Sequence, residues 1–212
     1  MKEPAVILDL MQKMIHESMA FNTLCATGHE GTFSETSWGV VVRVDGTPVS
    51  IQHGVYFNTK IPAEVAAFTD PDRLTPWLRL TAYKIAAEID AYIRKEIRAR
   101  STASTLLDSV PAAIAAAEAP VDAFRALVPI LEADEDDPRL EPFHVLPSFD
   151  QDEEIIILAP GNIAFAGEIV RMEAYQANRK EVGIKGLYMC GATVQRPDLI
   201  WRVPLTVDRR IP

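Results

Sequence analysis

From Pro76 to Arg100 the chain carries one uninterrupted helical period. Leu78, Ala82, Ile85, Ile89, Ile93 and Ile97 recur at three- and four-residue steps, while Lys84, Glu88, Arg94, Lys95 and Arg98 fall on the other side. Thr75 followed by Pro76 is a helix start, because a capping hydroxyl precedes a residue whose missing N–H is no loss in the first turn. At 1.5 Å per residue the predicted rod is about 37 Å long. A rod of that length with a single apolar stripe needs a broad surface to lie against, so it acts as a spine for the rest of the chain.

A β-rich stretch precedes the rod. In SWGVVVRVDGTPVSIQHGVYFNTKI, the runs Val40–Val44 and Pro48–Gln52 flank Asp45-Gly46. Asp-Gly between such runs is a hairpin signal, since both turn positions tolerate positive φ. A third run, Val55–Ile61, is placed to extend the hairpin. Upstream, Val6, Ile7, Leu10, Met11, Met14, Ile15 and Met19 form one apolar helical face. Its three methionines give an adaptable contact surface. The helix is either part of the core or an arm that packs on a neighbour. Residues 26–37 are polar and read as a loop.

Downstream, residues 103–133 read as further helix, with PAAIAAAEAP bounded by prolines and VDAFRALVPILEA interrupted by Pro129. An acidic loop, DEDDPRLEP, follows. FHVLPSF and EEIIILAPG are short strands, GEIVRMEAYQ is strand or helix, and GIKGLYMCGATV and LIWRVPLTV are strands. The order of helix, hairpin, long helix, helices and then strands gives an α+β class.

The 212 residues carry a net charge of −9, with 21 basic side chains that form no stripe. Tight nucleic-acid binding, which draws on clustered Lys and Arg, is therefore disfavoured. The N-terminal segment is interrupted by Asp9, Gln12, Lys13, His16 and Glu17 and does not read as a signal peptide. No apolar run reaches the roughly 20 residues that cross a bilayer, so a cytoplasmic site of synthesis is expected. Cys25 and Cys190 lie far apart and match no metal or redox spacing; two buried thiols are the ordinary reading.

The search for chemistry yields little. His16, His29, His53 and His144 make no zinc spacing. CATGHE brings Cys25 close to His29 and Glu30, a site that would need partners from elsewhere. Neither ATGHEGT nor APGN is a phosphate loop, and no nucleophile elbow occurs. The runs Asp134–Asp137 and Asp152–Glu154 read as solvated loops, and they lack the ligand alternation of a calcium loop. Cys190, in LYMCGATV, reads as a buried strand residue without the electropositive setting of a reactive thiol. No catalytic, cofactor-binding or metal residue is assigned. Were the chain an enzyme, dispersed residues such as Cys25, His29 or Cys190 would have to carry the reaction.

The closing segment combines Tyr188, Gly191, the Arg196-Pro197-Asp198 turn and the apolar run Leu199–Val203. In this it resembles the C-terminal part of the major capsid (coat) proteins of tailed bacteriophages. Ala86, Ala87, Ile89 and Asp90 are similar to the Ala-rich part of that family's spine helix, and the order of elements also fits. The resemblance implies an N-terminal arm (1–36), an extended β-hairpin (37–61), a spine helix in a peripheral domain (62–102), an axial domain (103–182) and strands returning beside the spine (183–212). It implies a non-enzymatic subunit that self-assembles through hexamers and pentamers into an icosahedral head. That head would enclose DNA without sequence-specific binding, with no membrane or cofactor, and scaffolding and portal proteins as possible partners. The implied location is the virion, assembled in a host cytoplasm. The alternatives are a minor head, decoration or other virion assembly protein, and a soluble bacterial enzyme with a dispersed active site. In the resemblance, Arg196-Pro197-Asp198 fixes a turn in which Arg and Asp either pair or stand solvated.

Overall fold

The computed structural model describes residues 4–29, 33–67, 71–100, 110–116, 120, 123–129, 141–148 and 154–204. The long rod is present as one helix, α3 (Pro71–Arg100), of 30 residues. It begins five residues before the expected start, so Pro76 lies inside it. There its ring removes one backbone donor in the second turn, where the cost is confined to the helix end. Leu74, Leu78, Ala82, Ile85, Ile89, Ile93 and Ile97 are buried in the main core, as the period requires.

What α3 lies against is a four-stranded sheet. Its order is β1 (Cys25–Thr27), β8 (Ile163–Gln176), β9 (Glu181–Val194) and β4 (His53–Pro62). β9 pairs antiparallel with both β4 and β8, and β1 runs parallel to β8 at the edge. Val55, Phe57, Ile61, Phe165, Ile184, Tyr188 and Cys190 point to the α3 side, while Ala164, Ala166, Leu187 and Met189 point to the other. With both faces covered, β9 is a near-continuous apolar run rather than an alternating one. β8 carries a bulge between Ile169 and Arg171.

The opposite face is covered by a short hairpin, β2 (Val41–Val44) and β3 (Thr47–Ser50), turned at Asp45 and Gly46, both at positive φ. The extended hairpin expected over residues 37–61 is shorter than that, because the third run does not extend it: β4 pairs with β9 along ten residues. The hairpin is seated on the sheet, with Val44 and Val49 fully buried against Ala164, Ala166, Leu187 and Met189. Its strands are too short to hold together alone, and burial of one face supplies what pairing cannot.

The N-terminal helix α1 (Pro4–Ser18) folds back on its own subunit, so the arm expected over residues 1–36 is a core helix where it is described. Met11 and Ile15 are fully buried in the core shared with α3 and the first sheet. The loop expected over 26–37 begins as strand, since β1 occupies Cys25–Thr27.

A second sheet runs β10 (Ile200–Pro204), β7 (Glu154–Leu158), β5 (Arg125–Pro129) and β6 (His144–Ser148). Its outer face packs with α4 (Val110–Ala116) through Val110, Ile114, Phe124, Ile155, Ile157, Trp201 and Val203. The inner face contributes Leu127, Ile156, Leu158 and Ile200 to the main core. The helix expected around VDAFRALVPILEA is therefore a strand at 125–129. Ala126, Leu127 and Val128 are buried on alternating faces between two partner strands, and this burial outweighs a weak helical preference. The short helix α2 (Ala63–Ala66) links β4 towards α3.

The expected boundaries shift accordingly. β8, placed in the axial region 103–182, belongs to the first sheet. Of the returning strands, β9 lies beside the spine, while β10 pairs with β7 in the second sheet. The acidic run 134–137, Asp152, Glu153 and the Arg209-Arg210 pair lie outside the described residues.

Candidate assembly surfaces

The three candidate nucleophilic or basic residues sit in different settings. Cys190 is fully buried on β9, and Cys25 is part-buried on β1; both thiols are free. Burial pushes both well above the usual thiol range, and the Asp90 carboxylate adds to the rise at Cys25. His29 stacks on Phe33 with ring centroids 4.5 Å apart and sits 3.9 Å from a Glu168 carboxylate oxygen. His53 stacks face to face on Tyr92 at 4.5 Å, bracing β4 against α3. Among the described residues no group of three or more His, Cys, Asp or Glu is placed to hold a metal ion. None of the described helices is long and apolar enough to cross a membrane.

A cavity of about 450 Å³ opens between α1 and the first sheet, lined by Leu8, Phe165 and Ile169 as well as by Asp9, Gln12, His16, His29 and Glu168. Gln12 spans it: its Nε2 donates to the Gly167 carbonyl at 3.1 Å, and its Oε1 accepts from the Ile169 N–H at 2.9 Å. Gln12 thus completes the backbone pairing next to the β8 bulge, where an extra residue leaves ladder groups without partners. An uncharged side chain on a helix gave no sequence signal for this role.

The residues that carried the family resemblance have physical tasks. Ala86 and Ile89 are buried under the sheet. Asp90 accepts hydrogen bonds from the Ala20 and Phe21 amides at 2.8 and 3.4 Å, fastening the chain that leaves α1 to the middle of α3. Gly191 lies beneath β3, where a Cβ would meet the Ser50 carbonyl oxygen at 2.1 Å. Arg196 and Asp198 pair across the turn in two-pronged fashion, at 3.0 and 2.7 Å, on the surface. The turn is pinned from below by the buried Asn162, which donates to the Arg196 carbonyl at 2.9 Å and accepts from the Arg196 N–H at 2.7 Å. Nothing in APGN marks Asn162 for this role, because its partner lies 34 residues further along the chain.

Glu154, expected in a solvated acidic run, is buried at the start of β7. One carboxylate oxygen accepts from Arg98 Nε of α3 at 2.7 Å, and the other from Arg202 of β10 at 3.0 and 2.7 Å. The carboxylate ties the end of the spine to the second sheet. Two guanidinium groups offset the cost of burying one carboxylate.

Among the described residues, the exposed large apolar side chains other than Val145 fall in two places. On α3, Trp77, Leu80 and Tyr83 follow each other at three-residue steps, with Leu80 63% exposed. Beside them a hollow of about 360 Å³ is lined by Ser18, Tyr83, Lys84, Ala87 and Asp90. On the other side of the first sheet, Trp38 lies over Gly54 of β4, since a Cβ there would touch its ring at 2.9 Å. Tyr56, two residues on and so on the same face of β4, is 77% exposed, and Val40 and Val41 extend the patch. Large exposed apolar groups that cluster mark contact surfaces rather than ordinary scatter.

No protein-family model matches the chain, and no curated protein matches it by sequence. Solved structures do. The chain is similar to the virus-like particle protein from Pyrococcus furiosus, with a TM-score of 0.56 at 13% identity over 93% of this chain and 99% of that one. It is also similar to the capsid protein of an empty GTA particle, with a TM-score of 0.53 at 13% identity over 88% of this chain and 90% of that one. At such identity the likeness is one of fold, and it extends along nearly the whole molecule.

Proposed function

We propose, from the premise that this chain has the tailed-phage capsid fold, that it is the major subunit of a closed protein shell. The observation that carries the reading is a pair of separate apolar patches, one on α3, which covers one face of the first sheet, and one on the other face of that sheet. A subunit whose complementary patches lie on different faces binds its neighbour head to tail, and such contacts propagate into rings or larger closed assemblies when the rotation closes. Each contact can be weak, because every subunit makes several at once.

On this reading hexamers and pentamers of the chain build an icosahedral head, with scaffolding and portal proteins as further partners, formed in a host cytoplasm and ending in the virion. A net charge of −9 suits a container that encloses DNA without gripping it. The role is structural, not enzymatic: both cysteine thiols are held protonated, away from the state in which a thiol reacts.

Leu80→Glu tests the proposal. A charge in the middle of the α3 patch cannot be desolvated against an apolar neighbour. The variant is expected to keep the wild-type circular dichroism spectrum but to elute as small species where wild type elutes as large particles. Unchanged particle size in the folded variant would refute the use of this patch.

A further inference from the structure

His16 sits on α1 over the first sheet, and its Nε2 is contacted by two groups at 3.1 Å: the Gln12 side-chain nitrogen and the Tyr188 hydroxyl. The orientation of the Gln12 amide is fixed. Its oxygen accepts from the Ile169 N–H and its nitrogen donates to the Gly167 carbonyl, so turning it over would break both bonds to β8. The amide nitrogen can therefore only donate to His16, and Nε2 must be the unprotonated, accepting nitrogen. A proton on Nε2 would set two N–H donors head-on at 3.1 Å; the acceptors in reach are the Tyr188 hydroxyl, if it turns, and the Gly167 carbonyl, which already takes the Gln12 amide.

We propose that His16 is an acid-labile latch: protonation of its imidazole breaks the Gln12–His16–Tyr188 contact and loosens α1 from the first sheet, opening the cavity beneath. The charged and titratable groups around it do not rescue the proton. On the strand side, Glu168 of β8 is already engaged by the Phe33 N–H and stands 3.9 Å from His29. His29 would itself add like charge on acidification. Tyr188, Cys190 and Cys25 are held neutral by burial. On α1 itself, Asp9 lines the far part of the same cavity. In α3, Asp90 is bonded to the Ala20 and Phe21 amides. Burial lowers the His16 value from its ordinary one; the Gly167 carbonyl pulls the other way, and the neighbouring His29 adds a lesser push downward.

The sign follows. A histidine lowered in the docked state contributes its full stabilisation above about pH 6.5, the undocked value. That contribution is lost as pH falls towards the docked value, by up to about tenfold in the opening equilibrium per pH unit for one proton.

Hydrogen–deuterium exchange of the full chain between pH 7.5 and 5.5, corrected for intrinsic rates, measures it. Peptides from 6–18 are expected to lose protection by up to about tenfold per unit below pH 6.5, while α3 peptides stay protected. His16→Gln should remove that dependence, and His29→Gln should weaken it only slightly, because His29 is the smallest of the influences on His16. Flat α1 protection in wild type, or an acid loss that persists in His16→Gln, would overturn the latch. Should His16→Gln fail to fold, an NMR titration of His16 in wild type decides: a value below 6.5 supports the proposal and one at or above it refutes it.

Discussion

At the scale of single residues, the informative side chains are polar ones at the seams between elements. Glu154 is the clearest. Its carboxylate receives three guanidinium hydrogen bonds from Arg98 and Arg202 while largely shielded from water. Replacing it by Gln keeps the volume but removes the charge and turns one acceptor into a donor facing an arginine. Glu154→Gln is expected to destabilise the fold by about 2 kcal/mol, read as a lower urea midpoint at unchanged slope. A midpoint equal to wild type would mean that the seam is held by packing alone. Such residues were the least legible in the sequence. Glu154 stands in a run of acids that looks solvated, Gln12 is an unremarkable helix residue, and Asn162 follows a turn. Their roles exist only because residues 34 to 157 positions away in sequence arrive beside them. By contrast, Cys190 was readable as buried, since it stands in a run of apolar residues bounded by glycines.

At the scale of elements, legibility depended on whether burial is one-sided. α3 has one wet face and one dry face, so its period is visible along its length, and only its first turns were missed, because the Thr75-Pro76 pair imitates a start. β5 is dry on both faces and only five residues long; a short apolar run without alternation is as much helix as strand on pattern alone. The hairpin turn at Asp45-Gly46 was plain, yet where the next run would pair was not, since the turn fixes register only for the strands it joins. For α1, the apolar methionine face fits a neighbour's surface as well as its own sheet, and the pattern does not distinguish them. Close approach between elements supplies a test of the hairpin's seat. Gly191 leaves room for the Ser50 carbonyl, and nearby Thr193 Oγ1 donates to the Pro48 carbonyl at 3.0 Å. Gly191→Ala drives a methyl group into the Ser50 carbonyl and should cost about 1–3 kcal/mol. It should also raise amide exchange in β2 and β3 before α3 is affected. Wild-type stability in this variant would show that the hairpin is not seated on β9 as described.

At the scale of the whole molecule, the main core joins α1, α3 and the first sheet to the inner face of the second, and Glu154 bolts the end of the spine to that sheet. The apolar patches lie outside this joined core, one on α3 and one on the face of the first sheet away from α3. A monomeric protein gains nothing from leaving Trp77, Leu80, Tyr83, Trp38 and Tyr56 in water, whereas a subunit that must be covered by neighbours does. The α+β class and the resemblance to the phage coat family were both accessible from sequence, because spine, hairpin and closing strands come in a recognisable order. The two patches were not, since exposure is a property of the folded surface. The most direct measurement is electron microscopy of the purified full-length chain at neutral pH. Hollow, closed particles of uniform diameter are predicted; a protein that remains a folded monomer or dimer at every concentration tested would contradict the account.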